Sequence, residues 1–245
     1  MEKKTIYPCI RLGEGDLNPR VITCGDPVRA GEIAKLLDDS VLVNTCREFH
    51  SYSVKWKGVP VSVVSHGVGC GGASTAFESI FKTGVKAIIR VGTCGGMQDG
   101  IDAGKIVIAT AACREDGVTD RMLPPAYPAI CDTEIVCALE DAAQEAHEDY
   151  EKGIILTTAL LYPSLMGSNV KLYAKAGVKA LENEVAGLLV LAGIYGAKAG
   201  AILAADAKAF ELIDAADYNP SQESVKSAVA RQIKIALNAL VTIKV

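Results

Sequence analysis

Short apolar, β-branched runs that end in glycine and hand over to a helix recur along this chain, and they constrain its fold more than any other feature. The clearest is KAIIRVGTCGG at 86–96. Ala87-Ile88-Ile89 reads as a buried strand that continues through Arg90 and Val91 and breaks into a glycine-rich turn at 92–96. Glycine has no Cβ, so such a turn lets backbone N–H groups approach an anion. Arg90 adds a guanidinium fork suited to bidentate oxyanion contact, and Thr93 adds a hydroxyl. Residues 20–25 make a similar strand ending at Gly25. Asp26-Pro27 then opens a helix to about residue 37, with Arg29 in its first turn. Taken singly, either stretch is equally compatible with an ordinary tight turn.

Residues 41–44, 49–56 and 59–65 read as a meander of strands with a hairpin turn at Lys57-Gly58, and Arg47 falls between the first two. The run SHGVGCGGAS at 65–74 is another glycine-rich strand exit, leading into a helix that stops at Gly84; His66 reads as packing at that turn. Further strands fall at 105–110, 153–158 and 199–205, and helices at 131–147 and 167–176. Residues 111–128, with Arg114-Glu115-Asp116-Gly117 and three prolines, read as a long loop of the kind that often forms a lid. The last helix is signalled by Asn219 as N-cap, Pro220 at N1 and Gln222 at N3, ahead of Val225, Val229, Ile233, Leu237 and Leu240 at helical spacing. The apolar stretch 185–205 is divided by Lys198 and by Gly187, Gly193, Gly196 and Gly200, which fits a buried helix followed by a buried strand better than a membrane span. This alternation predicts a single α/β domain over 1–245.

The formal net charge of −4 argues against a nucleic-acid partner and against attraction to an anionic membrane, so any anion site must be a local cluster of arginines. The eight cysteines include no CxxC pair, and only His50, His66 and His147 could join them, so neither a metal site nor a disulfide framework is expected. That cysteine usage points to a reducing cytoplasm, and Met-Glu-Lys-Lys-Thr at the start has no apolar stretch behind it.

Chemistry-bearing groups therefore fall at strand exits or helix starts: Gly25 with Arg29, Arg47, Arg90 with Thr93, Glu184, and Asp206. Two arginine clusters with glycine turns point to a small dianion such as phosphate, and the two carboxylates to hydroxyl recognition and a proton donor. In order along the chain, GDPVR (25–29), CREFH (46–50), SHGVGCGG (65–72), IIRVGTCGG (88–96), REDG (114–117), LYPS (161–164), LENE (181–184) and Asp206 resemble the hexameric class of nucleoside phosphorylases. The likeness covers about residues 8–240 and is nearest to the purine nucleoside phosphorylases of apicomplexan parasites.

The resemblance implies an α/β fold with a central mixed, twisted sheet, partly barrel-like and flanked by helices. It implies phosphorolysis of purine ribonucleosides with inorganic phosphate as co-substrate and no cofactor. Phosphate would be held by Gly25, Arg29, Arg90 and Thr93, with Arg47 reaching in from a neighbouring subunit of a homo-hexamer built as a trimer of dimers. Glu184 would accept from the ribose hydroxyls, with Asn183 and a neighbour's Cys9 also on the ribose side. Cys94, Gly95, Tyr162 and Glu182 would lie by the base. Asp206 would protonate purine N7, and its burial among Ala204, Ala205 and Ala207 favours a raised pKa. Three positions depart from the family pattern. Asn183 replaces the usual Met between the glutamates, Cys9 stands where an N-terminal His is usual, and no arginine follows Asp206 in AKAFELIDAADYN. Uridine phosphorylases carry a Gln-x-Arg pair after the Tyr-Pro turn, where this chain has Ser164-Leu165-Met166-Gly167-Ser168. Uridine phosphorolysis and a non-catalytic nucleoside-binding role are the alternatives.

Overall fold

The structure, a computed structural model, describes residues 4–162, 164–209 and 222–245. A small hairpin, β1 (Ile6–Tyr7) and β2 (Leu12–Gly13), comes first. It is followed by β3 (Arg20–Cys24), α1 (Pro27–Lys35), β4 (Asp38–Cys46), β5 (Phe49–Trp56), β6 (Val59–Ser65), α2 (Cys70–Lys82), β7 (Ala87–Gly96) and β8 (Ile106–Glu115). After a turn of 3-10 helix come β9 (Ala129–Ile130), α3 (Thr133–Glu145), β10 (Tyr150–Thr158), α4 (Val170–Lys175), β11 (Ala180–Glu182), α5 (Val185–Tyr195), β12 (Lys198–Lys208) and α6 (Glu223–Thr242).

The sheet is mixed. Its order is β11-β10-β8-β12-β7-β3-β6-β5-β4, with β9 paired to β8. β11 also pairs back with β7, Ala180 opposite Gly96 and Leu181 opposite Gly95. Strands β7, β12, β8, β10 and β11 thereby close on themselves, while β3, β6, β5 and β4 continue outward as an open sheet. One consequence decides where a ligand can sit. Because β12 covers one edge of β7 from Ala87 to Gly96, β3 and β11 must share the other. β3 pairs only as far as Arg90, and β11 begins at Gly95. The sheet splits between them, and in open α/β sheets such splits at the carboxyl ends of strands are where ligands bind.

Helices cover both faces. On one side α2 and α5 bury Phe77, Ile80, Leu188 and Leu189 against the sheet; on the other α1, α3 and α6 bury Ile33, Leu139, Ile235 and Leu237. Helix α5 is apolar all round because it is enclosed. Each of its fully buried leucines contributes about 2 kcal/mol. It lies so close to α2 that a Cβ on Gly187 would stand 2.6 Å from Cys70 Sγ. No helix among the described residues is long and apolar enough to cross a membrane.

Several expectations need correction. The glycine run 92–96 is no turn: it continues β7, because Leu203 to Lys208 of β12 and Leu181 of β11 supply hydrogen-bonding partners. Residues 111–115 are strand rather than loop, held by β10 and β9. The rest of the expected lid is fastened down. Arg114 donates to Thr119 Oγ1 (3.0 Å) and to the carbonyls of Leu123, Pro124 and Tyr127, and Asp116 accepts from the Val118 and Thr119 amides. Helix α6 starts at Glu223 with Gln222 as its cap residue rather than at N3; Asn219 and Pro220 lie outside the described residues. The Lys57-Gly58 turn stands, with φ of 49° and 79° as a tight hairpin requires.

Candidate active site

A cleft of about 260 Å³ opens where the sheet splits. Gly25 at the end of β3 and Arg29 at the start of α1 form one wall. Asp26 caps that helix by accepting from the Val28 amide at 2.8 Å, which fixes the turn and brings Arg29 round to the cleft. Gly67 and Val68, just beyond β6, form the adjoining rim. Arg90, Gly92, Thr93, Cys94 and Gly95 line the floor, along β7 where its partner changes from β3 to β11.

The far wall comes from the β11–α5 junction and from β12. Pairing of β12 with β7 slips between Ala205, opposite Cys94, and Ala207, opposite Gly95. Asp206 is the extra residue of this bulge, and the bulge turns its side chain into the cleft. Asp206 is 9% exposed. Lys208 also lines the cleft, its ammonium donating to the Gln98 carbonyl at 2.6 Å and pairing with Asp102 at 3.2 Å.

Arg90 is the electrostatic centre. It is 4% exposed. Its Nη2 pairs with Glu184 Oε2, its Nη1 lies 3.5 Å from Glu182 Oε2, and its Nε donates to His66 Nε2 at 3.2 Å. Nη1 has no hydrogen-bond partner among the described residues. Gly92 makes room for this guanidinium: a Cβ there would stand 2.1 Å from Nη1. The neighbouring glutamates hold the charge, keeping Arg90 protonated against the cost of burial.

Glu182 and Glu184 divide the work at the start of α5. Glu182 accepts from Thr157 Oγ1 at 2.5 Å and from the Glu184 and Val185 amides at 2.7 and 3.0 Å, so it satisfies the exposed N–H groups of the helix. Burial pushes its carboxyl up to about 7, against the pull of Arg90. Glu184 accepts from the Gly69 amide at 2.7 Å as well as from Arg90. Asn183 faces the cleft with its amide donating to the Thr158 carbonyl at 2.7 Å. Burial raises the Cys94 thiol well above its usual range, with Asp206 adding to the effect.

Of the residues expected from the sequence, the cleft gathers Gly25, Arg29, Arg90, Thr93, Cys94, Gly95, Glu182, Asn183, Glu184 and Asp206. Arg47, Cys9 and Tyr162 are not among its lining residues. Arg47 is exposed in the β4–β5 turn, Cys9 is half-buried beside the first hairpin, and Tyr162 is 71% exposed. His66 does more than pack, since it holds Arg90; a histidine at a strand exit was the available signal, but its partner lies a helix and a strand away. Val68, Leu161, Leu181 and Ala209 give the cleft apolar walls; the first three fall inside the sequence motifs, but none of the four stands out there as a site residue. Among the described residues no cluster of His, Cys, Asp and Glu is arranged to hold a metal ion.

Comparison with known proteins accords with this geometry. The family model described as the phosphorylase superfamily matches residues 19–242. A guanosine phosphorylase of Halorubrum lacusprofundi is 34% identical, over 95% of this chain and 97% of its own. A uridine phosphorylase of Thermococcus kodakarensis is 35% identical, over 78% of this chain and 73% of its own. The crystal structure of purine nucleoside phosphorylase from Toxoplasma gondii in complex with immucillin-H superposes with a TM-score of 0.93 and 31% identity, covering 99% of this chain and 98% of that one.

Proposed function

We propose that this chain, which belongs to the phosphorylase superfamily, is a nucleoside phosphorylase that cleaves purine ribonucleosides of the inosine and guanosine type reversibly to free base and ribose 1-phosphate. The observation that carries this reading is the meeting of two arginines and two acids in one cleft: Arg29 and Arg90 on one side, Glu184 and Asp206 on the other.

Phosphate sits against the Gly25 turn, Arg29, Arg90 and Thr93, beneath the ribose. Glu184 accepts from the ribose 2′- and 3′-hydroxyls, and Asn183 borders the sugar. Cys94, Gly95, Glu182 and Tyr162 attend the base. The bond from C1′ to N9 of the purine lengthens, positive charge develops on the ribose ring, and the phosphate dianion stabilises it. Asp206 gives a proton to N7 as the base leaves with the bonding electrons, and a phosphate oxygen closes on C1′. The reaction needs inorganic phosphate and no cofactor. The position of Arg47 and Cys9 outside the chain's own cleft supports donation of both to a neighbouring site, in a cytoplasmic homo-hexamer arranged as a trimer of dimers.

Base release from inosine, guanosine, adenosine and uridine, each with and without phosphate, tests the reading. Phosphate-dependent purine release that falls about 10²–10⁴-fold in Asp206→Ala supports it. The Thermococcus relative favours a second reading, uridine phosphorolysis; preferential cleavage of uridine would establish that one instead.

A further inference from the structure

We propose that His66 is a positioning residue that aims the Arg90 guanidinium at phosphate. The inference rests on the assignment of Arg90 to phosphate made above. His66 follows β6 and is fully buried. Its backbone amide donates to the Cys24 carbonyl at 2.9 Å, anchoring it to the end of β3. Its ring packs against Phe77 of α2, centroids 5.0 Å apart and planes at 59°. Backbone and ring are thus both held before the side chain does any polar work.

The polar work is one hydrogen bond. Nε2 accepts from Arg90 Nε at 3.2 Å, so the imidazole is neutral and carries its proton on Nδ1. Its burial and the adjacent guanidinium both oppose a second proton. An arginine can meet an oxyanion side-on through Nε and Nη2, or end-on through Nη1 and Nη2. With Nε committed to His66, the side-on edge is closed to an anion, and Nη2 is shared with Glu184. Nη1 is the nitrogen that has no hydrogen-bond partner among the described residues, and Glu184, the partner of Nη2, lines the same cleft. His66 therefore fixes which edge of Arg90 an anion meets. Without it the guanidinium can turn about its last bonds and offer the wrong edge.

The test pairs His66→Phe, which keeps the ring packing and removes the acceptor, with His66→Gln, whose amide oxygen can accept from Nε. In the full-length enzyme His66→Phe should raise the KM for phosphate about tenfold to hundredfold, the scale of a lost hydrogen bond to a charged group. The KM for inosine should stay near the wild-type value, and His66→Gln should recover most of the phosphate affinity. Calorimetric titration with inorganic phosphate reads the same contrast without turnover. Absence of phosphate-dependent cleavage by the wild type thus refutes the proposed function, while the calorimetry still decides the role of His66. Wild-type phosphate affinity in His66→Phe, or equal loss in both variants, overturns the inference. Should His66→Phe fail to fold, ¹⁵N NMR of the wild-type imidazoles decides: the His66 ring should be neutral with its proton on Nδ1, and a proton on Nε2 would refute the proposal.

Discussion

Gly92→Ala isolates the packing that holds Arg90 in place. The added Cβ would stand 2.1 Å from Arg90 Nη1, 2.8 Å from Cζ and 3.0 Å from Nη2. Comfortable separation begins near about 3.5 Å, so the guanidinium must retreat by more than about 1 Å. That retreat breaks the 3.2 Å bond to His66 and the contact with Glu184. Losing one partner of a buried ion pair outright costs about 3–5 kcal/mol. Here the charge is displaced rather than removed, so the overpacking scale of about 1–3 kcal/mol applies. In a domain of this size that lowers the thermal midpoint by about 2–12 °C. The KM for phosphate should rise at least about tenfold, because the fork no longer faces the cleft. Gly72→Ala is the control. Its Cβ meets nothing within 4 Å, and alanine in α2 should stabilise by about 0.5–1 kcal/mol. Steady-state kinetics with varied phosphate and a thermal melt of both variants supply the comparison. If Gly92→Ala binds phosphate as tightly as Gly72→Ala, Arg90 is not the phosphate fork.

His66, which holds Arg90, and Glu182, which lines the cleft, give stability opposite pH slopes. His66 is held well below its ordinary 6.5: as pH falls past that value the unfolded chain takes up a proton and the native state does not, so stability drops on acidification by up to about 1.4 kcal/mol per pH unit. Glu182 is raised from 4.5 to about 7; between those values the native state keeps a proton that the unfolded chain has lost, so stability drops as pH rises. Urea unfolding across this range should show His66→Gln weakening toward neutral pH and Glu182→Gln weakening toward acid, each relative to wild type; identical profiles would contradict the assignment. Arg114→Met should cost about 2–4 kcal/mol by freeing the carbonyls that Arg114 now satisfies, and limited proteolysis should cut within 116–128. Its phosphate KM should be unchanged, since no residue of that segment lines the cleft; a raised KM would restore the lid.

Local patterns were legible wherever neighbours in sequence decide the conformation. The hairpin of β5 and β6 stands as read, with its Lys57-Gly58 turn, as does the division of the apolar stretch into α5 and β12. The glycines at 92–96 misled because propensity sees a turn where two distant strands impose an extended conformation. The same long-range pairing made strand of residues 111–115. Most of the site was visible as residue types at strand exits. The Asp206 bulge, the partner switch along β7 and the His66–Arg90 bond were not, because each is a relation between elements far apart in sequence. Arg47, Cys9 and Tyr162 do not line the cleft of one chain; the proposed function gives Arg47 and Cys9 to a neighbouring site and keeps Tyr162 by the base.

The central claim is that phosphate itself attacks the sugar. Phosphorus-31 NMR of the enzyme with inorganic phosphate and inosine, guanosine or uridine reads that step directly. The account predicts a new sugar 1-phosphate resonance growing in step with free purine from inosine and guanosine, and none from uridine. Base release with no new phosphorus resonance, or a resonance from uridine alone, would contradict it.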